Sequence, residues 1–178
     1  MTYKSSILVM LIVLLVGGGL FAYFYKFPKE VNVTREAVTY AQVDPETTES
    51  TAIKVEGTMY RPLFRQSTFE GRITIEGKDF TTTGDMMTIY VAESQGGIHM
   101  GNLHYLKSGE PLETLWHGLI WFDSAWENIN LNLGRAGQTS DQNFYVVATA
   151  RNQQEAYKVQ ARMSEQFGDG FAPRNNIE

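Results

Sequence analysis

Eighteen consecutive residues near the start, Ile7–Phe24 (ILVMLIVLLVGGGLFAYF), carry no charge and no strongly polar side chain. Wound as an α-helix at about 1.5 Å per residue, they reach roughly 27 Å, close to the ~30 Å hydrocarbon thickness of a bilayer. Tyr23, Tyr25 and Phe27 lead into Lys26, Pro28 and Lys29, the aromatic and then basic exit that a chain makes from lipid into water. This run makes the chain a membrane-attached protein or one that loses its first residues on export, with a soluble protein that buries its N-terminal helix as the bland alternative. Cleavage at Gly17–Gly19 would leave LFAYFYKF as an apolar terminus in water. Retention of residues 1–25 as a transmembrane anchor is therefore the expectation, and a cleaved secreted domain is the alternative. Gly18 and Ala22 make a small-xxx-small pair through which two such helices can approach and self-associate.

Orientation rests on competing signals. Lys4 alone precedes the run, whereas Lys26, Lys29 and Arg35 follow it, and a plain Lys/Arg count favours a cytoplasmic C-terminal side. A very short tail with one lysine ahead of an apolar run reads instead as an export signal. On that pattern the C-terminal part is expected to be extracytoplasmic, held at the cell membrane by a single pass. All 20 Asp and Glu lie beyond the apolar run, and the chain carries a net charge of −5, which argues against nucleic acid as a partner. Cysteine is absent, so disulfides, thiolate metal sites and a cysteine nucleophile are excluded.

Residues 26–51 lack a sustained apolar period. TREAVTYAQV suggests two helical turns with Ala37, Val38 and Ala41 on one side, and DPETTEST, with Asp44, Glu46 and Glu49 among threonines, reads as a solvated acidic spacer. From Ala52 to Gly168 the pattern changes to about eight short strands between turns. Ile53 and Val55 alternate with Lys54 and Glu56, and Phe69, Ile73 and Ile75 alternate with polar neighbours before EGKD, read as a hairpin turn. The last element is a helix: Asn152 and Glu155 form a capping box, Ala156, Val159, Met163 and Phe167 recur at helical spacing, and Gly168 stops it. Residues 169–178 read as a loose tail. The fold class expected is α+β: a transmembrane helix, then a mainly antiparallel sheet domain over 52–168 with the C-terminal helix packed on it.

All three histidines, His99, His104 and His117, fall in one stretch. If LHYLKSGEPLETLWHG is a hairpin with the four-residue loop GEPL, Leu106 faces Leu115 and His104 faces His117. His99 is five residues from His104 and so lies on the opposite side of the strand, unless a bulge at Gly101 resets the alternation. Zinc needs three or four protein ligands, and Glu113 and Asp123, both of the same strand parity as His117, are the nearest carboxylates that such a pair could recruit. A metal-dependent hydrolase on His104, His117 and Asp123 is the enzymatic alternative, but histidines packed in a half-buried hairpin are the commoner arrangement, so no catalytic, cofactor or metal residue is assigned. Both faces of this hairpin are apolar, with Met100, Leu119 and Trp121 on one and Leu103, Tyr105, Trp116, Ile120 and Phe122 on the other. It belongs in a sheet covered on two sides. In MYRPLFRQSTF, Arg61 and Arg65 could meet lipid phosphates, although a loop whose aromatics tuck into the core is the plainer expectation. The function expected is a non-catalytic binding or accessory role at the cell envelope, with membrane lipid around the N-terminal helix and an envelope protein as partners.

Overall fold

The computed structural model describes residues 3–44, 47–107, 113–139 and 142–172. The apolar run lies within one helix, α1 (Tyr3–Phe24). Phe27, with a positive φ of 45°, turns the chain from that helix into the first strand. The strands are β1 (Pro28–Ala41), β2 (Thr48–Tyr60), β3 (Thr68–Ile75), β4 (Asp85–Met86), β5 (Ile89–Gln95), β6 (Ile98–Lys107), β7 (Glu113–Asp123), β8 (Ile129–Arg135) and β9 (Phe144–Ala148). A one-turn helix, α2 (Phe80–Thr83), precedes β4, and α3 (Gln153–Phe167) follows β9. The antiparallel sheet runs β4-β6-β5-β3-β2-β1-β9-β8-β7 and closes on itself through β6 and β7. Eight strands thus form a barrel, while the two-residue β4 shares one edge of β6 with β5.

Alternation explains the inside of the barrel. Val31, Ile53, Val55, Phe69, Ile73, Ile89, Leu103, Tyr105, Ile120, Phe122, Leu131 and Val146 come from all eight strands and pack into one core cluster, as expected of a ring of this size, whose interior is only wide enough for side chains. At one end Phe80 stacks on Trp116 at 4.4 Å and Trp116 meets Phe144 edge-on. At the other, where α1 joins, Trp126 stacks on Phe122 at 3.9 Å and tilts over Phe69. Closure requires tight curling at β2–β3: Gly57 faces Gly71, and a Cβ on either would overlap the backbone of the other strand.

A second cluster lies outside the barrel. The helix α3 lays Ala156, Val159, Met163 and Phe167 over Val38, Tyr40, Trp121, Tyr145 and Val147. Its N-cap is Asn152, whose side chain accepts from the Glu155 N–H, and it ends at Gly168 with φ 85°, as the capping pattern indicates. A buried polar chain runs beneath it: Tyr40 Oη donates to Gln160 Oε1, Gln160 Nε2 donates to Asn130 Oδ1 at 2.7 Å, and Asn130 Nδ2 donates to the Ala172 carbonyl at 2.9 Å.

The structure corrects several expectations from the sequence. Residues 28–41, read as part of the spacer with two helical turns, form β1, which pairs with β2 over thirteen positions and with β9 over five. The domain therefore begins ahead of residue 52. DPETTEST spans the turn between β1 and β2 and the start of β2, where Thr47 Oγ1 donates to the Asp44 carboxylate at 2.7 Å; Pro45 and Glu46 lie outside the described residues. EGKD is not a hairpin turn but leads into α2, because the ladder partners of β3 are β2 and β5 and not the segment directly after EGKD. The start of the supposed loose tail is also ordered: Phe171 is buried and packs on Trp121 with ring centres 5.1 Å apart. Residues 173–178 lie outside the described residues.

Candidate functional site

The three histidines do not assemble. The β6–β7 ladder places His104 opposite His117, with His104 half-buried and His117 exposed on the outer face of the barrel. The pairing expected from a four-residue loop thus appears, but by another route: Lys107 pairs with Glu113, Leu106 with Thr114, and an irregularity then absorbs Leu115 before Tyr105 meets Trp116. Ser108 to Leu112, including the whole of that predicted loop, lie outside the described residues. His99 is on the opposite side of β6. The bulge lies in β5, between Val91 and Glu93, so the alternation of β6 is not reset.

Asp123, the carboxylate of the enzymatic alternative, is at the far end of β7 opposite Ile98. Its oxygens accept the N–H groups of Ala125, Glu127 and Asn128 at 2.9–3.0 Å and the Asn128 side-chain amide at 2.6 Å. Burial pushes this carboxyl up, but the four hydrogen bonds, with Glu127 first, outweigh that and hold it below its ordinary value. Asp123 is thus a turn-former. Among the described residues no group of three or more His, Cys, Asp or Glu side chains could hold a metal ion.

The most organised polar cluster is at the barrel mouth beside α1. Lys29, Met59 and Arg61 on one side and His99, Phe122, Ser124 and Trp126 on the other line a narrow pocket. The turn after β7 makes its floor. Trp126 adopts a left-handed backbone, φ 57°, which costs about 1 kcal/mol or more for a residue with a Cβ, and its stacking on Phe122 offsets that cost. Lys29 Nζ donates to the Ser124 carbonyl at 3.2 Å, and Arg35 Nε donates to the Trp126 carbonyl at 3.1 Å, so β1 ties the turn down.

His99 sits at the centre of this mouth. Its Nδ1 is 2.7 Å from Ser94 Oγ and its Nε2 is 2.9 Å from Ser124 Oγ. Burial lowers its pKa, the nearby Asp123 raises it and Arg61 lowers it, with a net fall below 6.5. A neutral imidazole has one donor and one acceptor nitrogen, which matches one hydroxyl that accepts and one that donates. A serine beside an imidazole is the beginning of a nucleophilic pair, but such a ring is ordinarily oriented by a third, anionic group. Here that place is taken by the neutral Ser94, and the neighbouring carboxylate is filled by its own turn. The His99 triad therefore acts as a clamp joining β5, β6 and the turn after β7.

Ser94 and Ser124 are the residues that reading the sequence missed. Gly96 and Gly97, with φ of 57° and 84°, make a two-residue hairpin, which fixes Gln95 against Ile98 and Ser94 against His99. The glycine pair was a sufficient signal for Ser94. Ser124 carries no such signal, because its place depends on the fold of the turn. Compared with protein-family models, with curated proteins and with solved structures, the chain matches none.

Proposed function

We propose that the chain is a single-pass membrane protein whose barrel stands on the extracytoplasmic side of the cell membrane and serves there as a non-catalytic binding or accessory module, with an envelope protein as its partner. The observation that carries this reading is the bareness of α1. It is long and apolar enough to cross a membrane, and the rest of the chain buries none of its Ser6–Phe24 span. At about 25 cal/mol per Å² that surface would be strongly unfavourable in water, whereas in a bilayer lipid is its solvent. The non-catalytic part of the reading is supported by how the polar groups are used. The barrel interior is filled by side chains, and His99 and Asp123 spend their hydrogen-bonding capacity on holding the mouth together. What remains for function is the outer surface, presented next to the membrane.

The test uses the full chain. It has no cysteine, so Gln138→Cys, in the loop at the barrel end away from α1, gives one thiol. A membrane-impermeant maleimide should label it on intact cells, and the labelled chain should stay with membranes in alkaline carbonate. Labelling only after lysis would overturn the extracytoplasmic side. Release into the carbonate supernatant with the first residues still attached would overturn the anchor.

A further inference from the structure

The connection between β2 and β3, residues 61–67, is built as an apolar tip between two arginines: Arg61, Pro62, Leu63, Phe64 and Arg65. The plainer expectation is that the aromatics of MYRPLFRQSTF tuck into the core. Phe69 does and Tyr60 is half-buried, but the tip does not: Leu63 is 61% exposed and Phe64 67%. A polar turn would join the two strands equally well, and single exposed apolar residues are ordinary. This pair differs in its position beside the last turn of α1. Arg65 Nη2 donates to the carbonyl oxygens of Tyr23 and Phe24 at 3.3 and 3.2 Å, and its guanidinium lies 5.7 Å from the Tyr23 ring centre. The Arg61 N–H donates to the Lys26 carbonyl at 2.7 Å, and Lys26 in turn lies over the Tyr60 ring. A cation on the last carbonyls of a helix is favourably placed, so the loop and the helix end form one unit.

We infer that this loop is a second membrane contact: Leu63 and Phe64 enter the interface beside the exit of α1, and Arg61 and Arg65, with Lys26 and Lys29, meet the phosphates of anionic lipids. Three observations agree on that occupant. The exposed tip is continuous with exposed Tyr23, Phe24 and Tyr25 at the end of the span, the level at which aromatic side chains favour the headgroup boundary. The flanking charges are basic, in a chain that is acidic as a whole, and basic residues next to a span attract anionic headgroups. The hydrogen bonds from Arg65 keep the loop level with that boundary. The consequence is a barrel seated on the bilayer in a fixed attitude, with the His99 mouth turned toward the headgroups and the far loops toward solvent.

The inference rests on the membrane reading of α1, and the test separates the two. Three single-cysteine variants of the full chain, Phe64→Cys, Leu15→Cys and Gln138→Cys, are labelled with bimane and reconstituted into phosphatidylcholine vesicles containing phosphatidylglycerol. The label at 64 should be quenched several-fold more by a lipid bearing a nitroxide near its headgroup than the label at 138, and should be shielded from iodide. The label at 15 should respond to a nitroxide deep in the acyl chain. If 64 is as open to iodide as 138 while 15 stays lipid-quenched, the loop contact is wrong and the anchor stands. Shielding of 64 from iodide without lipid quenching also overturns the contact, because protein and not lipid then covers the loop. If 15 is not quenched by lipid, the anchor itself falls and the loop contact with it.

Discussion

At the scale of single residues, His99 shows how a feature legible in the sequence acquires a meaning that the sequence does not carry. The cluster of three histidines is conspicuous in the chain, and parity along a strand is enough to keep His99 away from His104. The two serines that hold its ring come from β5 and from the turn after β7. The Gly96–Gly97 turn signals the first of these by setting Ser94 opposite His99, and nothing in the sequence signals the second. The clamp has a pH signature. In the folded chain the His99 pKa lies below its ordinary 6.5, so between the two values the unfolded chain binds the proton and the folded chain does not. Stability is then complete above about pH 6.5 and is lost as the pH falls through that value, levelling off once the folded ring is also protonated. Urea unfolding of residues 26–178 at pH 7.5 and 5.0 should show this loss. In His99→Gln, which keeps a donor and an acceptor but does not titrate, the loss should shrink. An unchanged pH dependence would place its origin elsewhere.

Among the elements, the long middle strands and the last helix were legible and the first strand was not, and burial on two faces accounts for both outcomes. In the hairpin of β6 and β7 the apolar residues of each parity are numerous, and the structure covers one set with the barrel interior and, of the other, Ile98, Met100, Leu119 and Trp121 with the cluster under α3 and Phe171, while His117 stays exposed. In β1 the outward positions Asn32, Thr34 and Glu36 are exposed, but from Ala37 to Tyr40 both faces are buried, because α3 crosses outside Val38 and Tyr40. The alternation therefore breaks where the helix passes, and the remaining spacing of Ala37, Val38 and Ala41 imitates a helical turn. It follows that residues 26–178 should fold on their own and residues 44–178 should not. The shorter chain lacks the strand that joins β2 to β9, and circular dichroism with a cooperative urea transition will distinguish the two. For α3, Met163→Ala removes a side chain that is 1% exposed, and should cost about 2–5 kcal/mol in the same urea assay. A cost near zero would show that the helix is only loosely held against the barrel.

For the molecule as a whole, closure of the sheet decides what kind of interactions remain open. An open antiparallel sheet would present two edge strands with unpaired backbone groups, and such edges invite pairing with other chains. Here the β6–β7 pairing completes the ring, so the edges left are partial ones: β1 ahead of Ala37 and β3 beyond Phe69 have a ladder partner on one side among the described residues. Closure was not legible because it depends on register and stagger summed around eight strands, with the Gly57–Gly71 contact and the β5 bulge as local contributors, and none of these alters the apolar pattern. Among the described residues the exposed large apolar side chains gather on α1 and at the Leu63–Phe64 tip beside it, with Val43, Met87 and Tyr90 elsewhere. Residues 26–178 should therefore sediment as a monomer at tens of micromolar. Any self-association of the full chain should reside in α1, where Gly18 and Ala22 allow close approach, and Gly18→Leu should abolish cross-linking between copies in membranes without altering the barrel. A dimer of residues 26–178 would show instead that a face of the barrel itself is the interface.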